Sequence, residues 1–217
     1  MLFFCSGALP AQAGNGTEHA RLSQASIRFS LQTLCDDSDS ATYEFRRFRD
    51  GLRAYQYDRD ELEVIEATLI EVHPKCMGAA KAQLVSSLMQ EVADNWENLH
   101  ELRRADAAYR LAYDYEQAIP HDVLGKIAVA QGWAILCAEL TNFQHAKALA
   151  AEQTSVARWS YQHGQFDAHL LVESLQFEAT ILDRVGSHQR ADQKRKEATE
   201  VLRTGRKCSG FCMYKAY

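Results

Sequence analysis

Three stretches of the chain align without gaps: residues 93–105 read ADNWENLHELRRA, residues 134–146 read AILCAELTNFQHA, and residues 179–191 read ATILDRVGSHQRA. Each begins and ends on alanine, and apolar residues occupy nearly every third position in between. Two helices that pack closer than the usual spacing of roughly 8–10 Å need small residues where their axes meet. The three stretches therefore predict three helix–turn–helix units, in which an alanine on the first helix faces an alanine on the second.

The middle of each stretch predicts a short turn. These positions hold His100-Glu101, Thr141-Asn142 and Gly186-Ser187. All of these residues are polar or glycine, as a short connection between two helices requires.

The composition agrees with a helical protein. The chain has 217 residues, of which 11 are Gly and 3 are Pro. An average chain contains about twice that fraction of these two residues, at roughly 12%. A β-sandwich or β-barrel needs turn residues at intervals of roughly 8–12 residues, so the composition excludes these classes. We therefore predict an all-α fold.

The alanine register resembles the tetratricopeptide repeat, which has a small residue late in its first helix and another early in its second. An aromatic residue followed by a small one is also typical of the second helix, and Tyr109 and Ala112 match it. The match is partial at Ala150/Gln153 and Arg195/Ala198. The units stand 41 and 45 residues apart instead of 34, and the terminal proline of the family is absent. The resemblance implies a right-handed superhelix of antiparallel helix pairs, an α-solenoid with longer helices, which binds a partner protein on its concave side.

The sequence divides into five predicted segments. Terminal repeats of a solenoid are usually atypical, which suits the helix pair that precedes the alanine units. The segments are a signal peptide (1–13), an N-terminal segment (14–37), a capping helix pair (38–78), three tetratricopeptide-like helix pairs (79–204) and a C-terminal tail (205–217).

The N-terminus resembles the end of a secretory signal. Residues 1–14 read MLFFCSGALPAQAG, an apolar run followed by the small-x-small site Ala11-Gln12-Ala13, although no basic residue precedes the run. Cleavage is predicted after Ala13, and the predicted location is periplasmic or secreted. The alternative is a cytoplasmic protein with an apolar N-terminus. No apolar run is long enough for an integral membrane span.

The cysteines of an exported chain predict disulfides. Cys35 and Cys76 flank two predicted helices, 38–57 and 60–72, whose outer ends meet in an antiparallel hairpin. A disulfide between them closes a loop of about 40 residues, worth about 4 kcal/mol in the chain-entropy model. Cys208 and Cys212 can pair locally, and Cys137 is predicted to be a buried free thiol. Paired CxxC units are absent, so no metal site is predicted.

The first helix of each unit predicts a partner-binding groove. Three positions before the leading alanine, all three units carry glutamine: Gln90, Gln131 and Gln176. The helical period places carboxylates on the same side of these first helices as the glutamines. An extended peptide offers donors and acceptors to amides and basic side chains to carboxylates. The predicted carboxylates are Asp94, Glu97 and Asp183.

Charge and motifs narrow the function classes. From Arg184 onward the chain has nine basic and three acidic residues, a net charge of +6, which leaves −11 for the rest. An acidic body argues against a nucleic-acid partner, whereas the basic tail can contact an acidic one. No catalytic signature is present, so we predict neither an enzyme nor a cofactor.

The sequence is compatible with three functions. The first is an exported scaffold or interaction module that works through its concave groove. The second is a periplasmic ligand-binding solenoid that signals to a membrane partner such as a cyclase or kinase. The third is a cytosolic scaffold.

Overall fold

A computed structural model describes residues 23–35, 39–76 and 78–205. These residues form nine α-helices and two short 3₁₀ helices, Thr33–Cys35 and His73–Lys75, which confirms the all-α prediction. The predicted signal peptide, Cys208 and Cys212 lie outside the described residues. The helices are α1 (Gln24–Gln32), α2 (Asp39–Arg53), α3 (Arg59–Val72), α4 (Ala79–Asn98), α5 (Leu102–Gln117), α6 (Val123–Glu139), α7 (Phe143–Gln162), α8 (Ala168–Arg184) and α9 (His188–Thr204).

The three predicted units are present as the helix pairs α4–α5, α6–α7 and α8–α9. Each pair is antiparallel and stacks on the next, through α5 against α6 and α7 against α8. The first helices of successive pairs also contact each other, α4 with α6 and α6 with α8. Within the described residues, the second helices of neighbouring pairs have no comparable contact. The stack is therefore tighter on the side of the first helices, and these form its inner layer.

The alanines lie where the two helices of each pair meet. All six are at most 1% exposed, as the sequence predicts: Ala93, Ala105, Ala134, Ala146, Ala179 and Ala191. In the third unit, Ala179 and Ala191 pack together with Leu182 as a separate apolar cluster. Larger side chains at these positions would force the helix axes apart, since protein interiors are close-packed.

The turns of the three units share one backbone conformation. His100, Thr141 and Gly186 occupy equivalent positions and all have positive φ, at 58°, 60° and 75°. The N–H of the next residue donates to the carbonyl five residues earlier, over 2.9 Å from Glu101 to Trp96 and 2.7 Å from Ser187 to Leu182. This left-handed residue with its 6→1 hydrogen bond is a Schellman motif. The predicted turn positions are confirmed.

The N-terminal cap is formed by α1, α2 and α3. Both helices expected over residues 38–78 are present, and Asp58 and Glu61 form a capping box at the start of α3. However, α3 packs mainly beside α1 and α4, while α2 packs beside α4. The cap is therefore a three-helix arrangement instead of one hairpin. The predicted disulfide is confirmed, and it joins Cys35, which lies between α1 and α2, to Cys76, which follows α3.

A pair of carboxyl groups lies at the junction between α5 and α6. Glu116 is 2% exposed, and Asp122 caps α6 by accepting a hydrogen bond from the Gly125 N–H over 2.9 Å. A Cβ on Gly125 would lie 2.6 Å from an oxygen of each carboxyl group, so the glycine makes room for both. Burial raises the pKa of Glu116, and the nearby charge of Asp122 raises it further. A protonated Glu116 can then donate a hydrogen bond to Asp122 within the core.

The left-handed turns generate a stability prediction. A β-branched residue at positive φ is strained by roughly 1–2 kcal/mol, whereas glycine adopts this conformation freely but gains entropy in the unfolded chain. We expect Thr141→Gly to raise the free energy of unfolding by roughly 0.5–1 kcal/mol. The matched control is Gly186→Ala at the equivalent position, which should lower it by roughly 1 kcal/mol. Urea unfolding followed by circular dichroism measures both, and a loss of stability in Thr141→Gly would contradict the shared turn conformation.

Candidate functional site

A pocket of about 460 Å³ lies between α4 and α6 on the inner layer of the stack. Helix α4 contributes the side chains of Gln90, Asp94, Glu97 and Asn98. Helix α6 contributes Ala128, Gln131, Gly132 and Ile135, and Tyr55 and Tyr109 complete the lining. The pocket is therefore polar on its α4 side and mixed on its α6 side.

Four of the six predicted partner-binding residues converge on this pocket. Gln90, Asp94 and Glu97 are spaced by four and three residues, which places them on one face of α4. Gln131 faces them from α6. The other two predicted residues, Gln176 and Asp183, lie on α8 and do not line this pocket.

The inner wall of the pocket depends on a tyrosine from the second helix of the first unit. Tyr109 is 2% exposed, and its hydroxyl donates a hydrogen bond to the Asp94 carboxylate. Gly132 makes this possible, because a Cβ there would lie 2.7 Å from Cε1 of the Tyr109 ring. The phenol therefore passes beside the α6 backbone and holds the Asp94 carboxylate in place.

The pocket has a surplus of negative charge. Burial raises the pKa of Asp94, against the opposing effects of the Tyr109 hydrogen bond and the positive charge of Arg53. Burial also raises the pKa of Glu97, and the like charges of Glu139 and Asp94 add to the effect. Within the described part of the chain, the Glu97 carboxylate has no hydrogen-bond or ion-pair partner.

The cation whose charge acts on the Asp94 carboxylate is already in an ion pair. Arg53 Nε donates to Glu91 Oε1 over 2.5 Å, and Arg53 does not line the pocket. Among the described residues that line the pocket, none is Lys, Arg or His. The negative charge of the pocket is therefore only partly compensated from within the chain.

The charges at the α8 end of the predicted groove are paired differently from those of the pocket between α4 and α6. Asp183 forms an ion pair with Arg195 and lies 3.1 Å from Nδ1 of His188. These hydrogen bonds, from His188 first and then Arg195, lower the pKa of Asp183. Gln176 is exposed on the same helix. Asp183 thus has a cationic partner within the chain, unlike Glu97.

Six of the ten residues that line the pocket were not among the predicted partner-binding residues, and two of these six carried a signal in the sequence. Tyr109 matched the aromatic position of the second helix, and Gly132 is a glycine inside a helix, which often marks a close approach. Tyr55 comes from the turn after α2, where it has a φ of 51° and is 57% exposed. No periodic pattern connects that turn to α4.

The predicted free cysteine and the described basic residues near the C-terminus lie outside the pocket. Cys137 is a free buried thiol, as predicted, and burial raises its pKa to about 12. Three of the basic residues from Arg184 onward are in ion pairs: Lys194 with Glu178, Arg195 with Asp183 and Asp192, and Arg203 with Glu200.

Over the described ranges there is no cluster of three or more His, Cys, Asp or Glu side chains arranged to hold a metal ion. No helix among the described residues is long and apolar enough to cross a bilayer.

The fold defines the class of this protein as an all-α chain of sequential antiparallel helix pairs that resembles a tetratricopeptide-type repeat. Among solved structures, the chain is similar to the crystal structure of BtubC (BKLC) from P. vanneervenii. The two chains are 16% identical, the match covers 88% of this chain and 90% of that chain, and the TM-score is 0.47. No protein-family model matches the chain, and neither does any curated protein.

The contact between Gly132 and Tyr109 generates a second prediction. In Gly132→Ala the new methyl group displaces the ring, at a cost of roughly 1–3 kcal/mol. The better helix propensity of alanine offsets about 1 kcal/mol of this cost. We therefore expect a net loss of up to roughly 2 kcal/mol in the free energy of unfolding.

A double-mutant cycle isolates this contact. In a Tyr109→Leu background the same Gly132→Ala change should be neutral or stabilising, because no ring opposes the methyl group. Urea unfolding of the four proteins measures the difference. An equal cost of Gly132→Ala in both backgrounds would show that the tyrosine is not what requires the glycine.

Proposed function

We propose that this protein is a helical-repeat interaction module or scaffold that binds an extended peptide segment of a partner protein on its inner layer. The observation that carries the proposal is the convergence of Gln90, Asp94, Glu97 and Gln131 on one pocket between α4 and α6. Each glutamine amide offers both donors and an acceptor, which matches the unpaired N–H and C=O groups of an extended peptide.

The architecture supports the same proposal. Stacked helix pairs bury their apolar faces between neighbours, and the inner layer remains as an extended surface available to a ligand. In the described structure, that layer is formed by α4, α6 and α8. The polar side chains at the pocket are carboxylates, amides and phenols, which can form hydrogen bonds with a bound peptide. We propose that the protein acts by binding and not as an enzyme.

The proposed groove is tested with the Gln90→Ala/Gln131→Ala double variant. Peptides are first selected from a displayed library of random 12-residue sequences against the full chain. Each neutral hydrogen bond contributes roughly 0.5–1.5 kcal/mol, so loss of two should weaken binding of the selected peptides about tenfold. Fluorescence anisotropy measures the dissociation constants, and thermal unfolding checks that the fold is unchanged.

The matched control is Gln83→Ala, an exposed glutamine on α4 that does not line the pocket. It should bind the selected peptides as the unaltered chain does. Gln176→Ala reports whether the bound peptide extends as far as α8. If the double variant and the Gln83→Ala control bind equally well, the groove between α4 and α6 is not the binding surface.

We also propose that the protein is exported to the periplasm or secreted, with its basic C-terminal tail available to an acidic partner. The disulfide between Cys35 and Cys76 supports export, because disulfides persist mainly in oxidising compartments. Protein taken from its native host under alkylating conditions should migrate differently in non-reducing and reducing electrophoresis. Alkylation of both cysteines before any reductant is added would contradict export.

The size of the pocket favours one second candidate function. A volume of about 460 Å³ falls within the range of roughly 300–1,000 Å³ that small-molecule sites occupy. The alternative is therefore a periplasmic sensory domain that binds a small ligand here and signals to a membrane partner such as a cyclase or kinase. Such a sensor would be stabilised by a small molecule alone, whereas the interaction module requires a peptide.

A further inference from the structure

The lining of the pocket is rich in hydrogen-bond acceptors. Asp94 and Glu97 supply two carboxylates, and the amides of Gln90, Asn98 and Gln131 supply carbonyl oxygens. Glu97 is the carboxylate without a partner in the described part of the chain, since no described donor or cation pairs with it. A ligand with several N–H donors and a positive charge would satisfy this set of groups.

The arrangement of the acceptors favours a planar, many-donor cation. Gln90, Asp94 and Glu97 follow one another along one face of α4, and Gln131 lies opposite on α6. An arginine guanidinium has five N–H donors in a fixed plane, whereas a lysine ammonium is a compact point charge with three. Acceptors distributed over two helices therefore match the guanidinium better.

An aromatic ring at the pocket adds a second feature that suits this ligand. Tyr55 lines the pocket and remains 57% exposed, so its ring is available for contact. The flat face of a guanidinium stacks on aromatic rings while its edges donate to carboxylates. By contrast, an anionic ligand would meet two like charges, and an apolar ligand would remove water from Glu97 without replacing its hydrogen bonds.

We propose that the pocket between α4 and α6 recognises an arginine side chain of the bound peptide, with Glu97 and Asp94 as acceptors of the guanidinium and Tyr55 as its stacking surface. This inference rests on the proposed peptide-binding function. It specifies which residue of the peptide the pocket selects.

The test compares three short peptides that differ at one position. The probes are acetylated, amidated Gly-Gly-Arg-Gly-Gly and its citrulline and lysine counterparts, titrated into the ¹⁵N-labelled full chain. Citrulline has nearly the shape of arginine but no charge. The arginine peptide should bind at least tenfold more tightly than the citrulline peptide and severalfold more tightly than the lysine peptide. The largest amide shifts should lie on α4 and α6.

Two charge-neutralising variants localise the effect. Glu97→Gln keeps the side-chain size and should weaken binding of the arginine peptide about tenfold. Glu173→Gln removes the same charge from an exposed position on α8 and should change binding less than twofold. The proposal is overturned if citrulline or lysine binds as tightly as arginine, or if Glu97→Gln and Glu173→Gln have equal effects.

The library-selected peptides separate this inference from the proposed function. If those peptides depend on Gln90 and Gln131, but their arginines can be replaced by citrulline without loss, the arginine inference fails and the peptide-binding function stands. If selection yields no peptide and free arginine amide binds at α4 and α6 as tightly as the arginine probe, the pocket chemistry stands and the peptide-binding function fails.

Discussion

The close approach of two helices at a pair of buried alanines is the constraint on which the rest of this structure depends. Ala93 and Ala105 are fully buried, and the same holds for the corresponding alanines of the next two units. With small residues at the contact, each pair can be joined by a left-handed residue and an N-cap, because the helix ends already lie close together. This short connection then fixes the antiparallel orientation of the two helices. Stacking of such pairs then follows from the apolar faces that each pair leaves uncovered.

The same alanine register determines the chemistry of the inner layer. A residue three positions before, one after or four after the leading alanine falls on the open side of the first helix. In the first unit these positions hold Gln90, Asp94 and Glu97, which all reach the pocket. The alanine at the contact therefore does two things: it brings the second helix close, and it leaves the neighbouring positions free to be polar. Tyr109 then reaches from the second helix to Asp94 because Gly132 leaves space for its ring.

Features that depend on one helix or one turn were predictable from the sequence, and features that depend on which helix lies opposite were not. The alanine pairs, the turn residues, buried Cys137 and four groove residues all follow from a local period. The Cys35–Cys76 disulfide followed from a hairpin argument, although the structure shows α3 packed beside α1 and α4. Tyr55 lines the pocket although no sequence pattern predicted it. Periodicity identifies one face of a helix and does not identify the loop that packs against that face.

One register position contributes to the difference in charge pairing between the two ends of the inner layer. Tyr109 lies four residues after Ala105, and Arg195 lies four residues after Ala191, so the two occupy equivalent places on the second helices of their units. Each side chain reaches an acid on its own first helix, Tyr109 reaching Asp94 and Arg195 reaching Asp183. The arginine brings a full positive charge, and with the His188 hydrogen bond it lowers the pKa of Asp183. The tyrosine brings only a hydrogen bond, and burial raises the pKa of Asp94. The residue at this repeated position thus gives Asp183 a cation at the α8 end, whereas Asp94 receives only a hydrogen bond at the α4 end. Glu97, which like Asp183 lies four residues after its leading alanine, has no partner among the described residues.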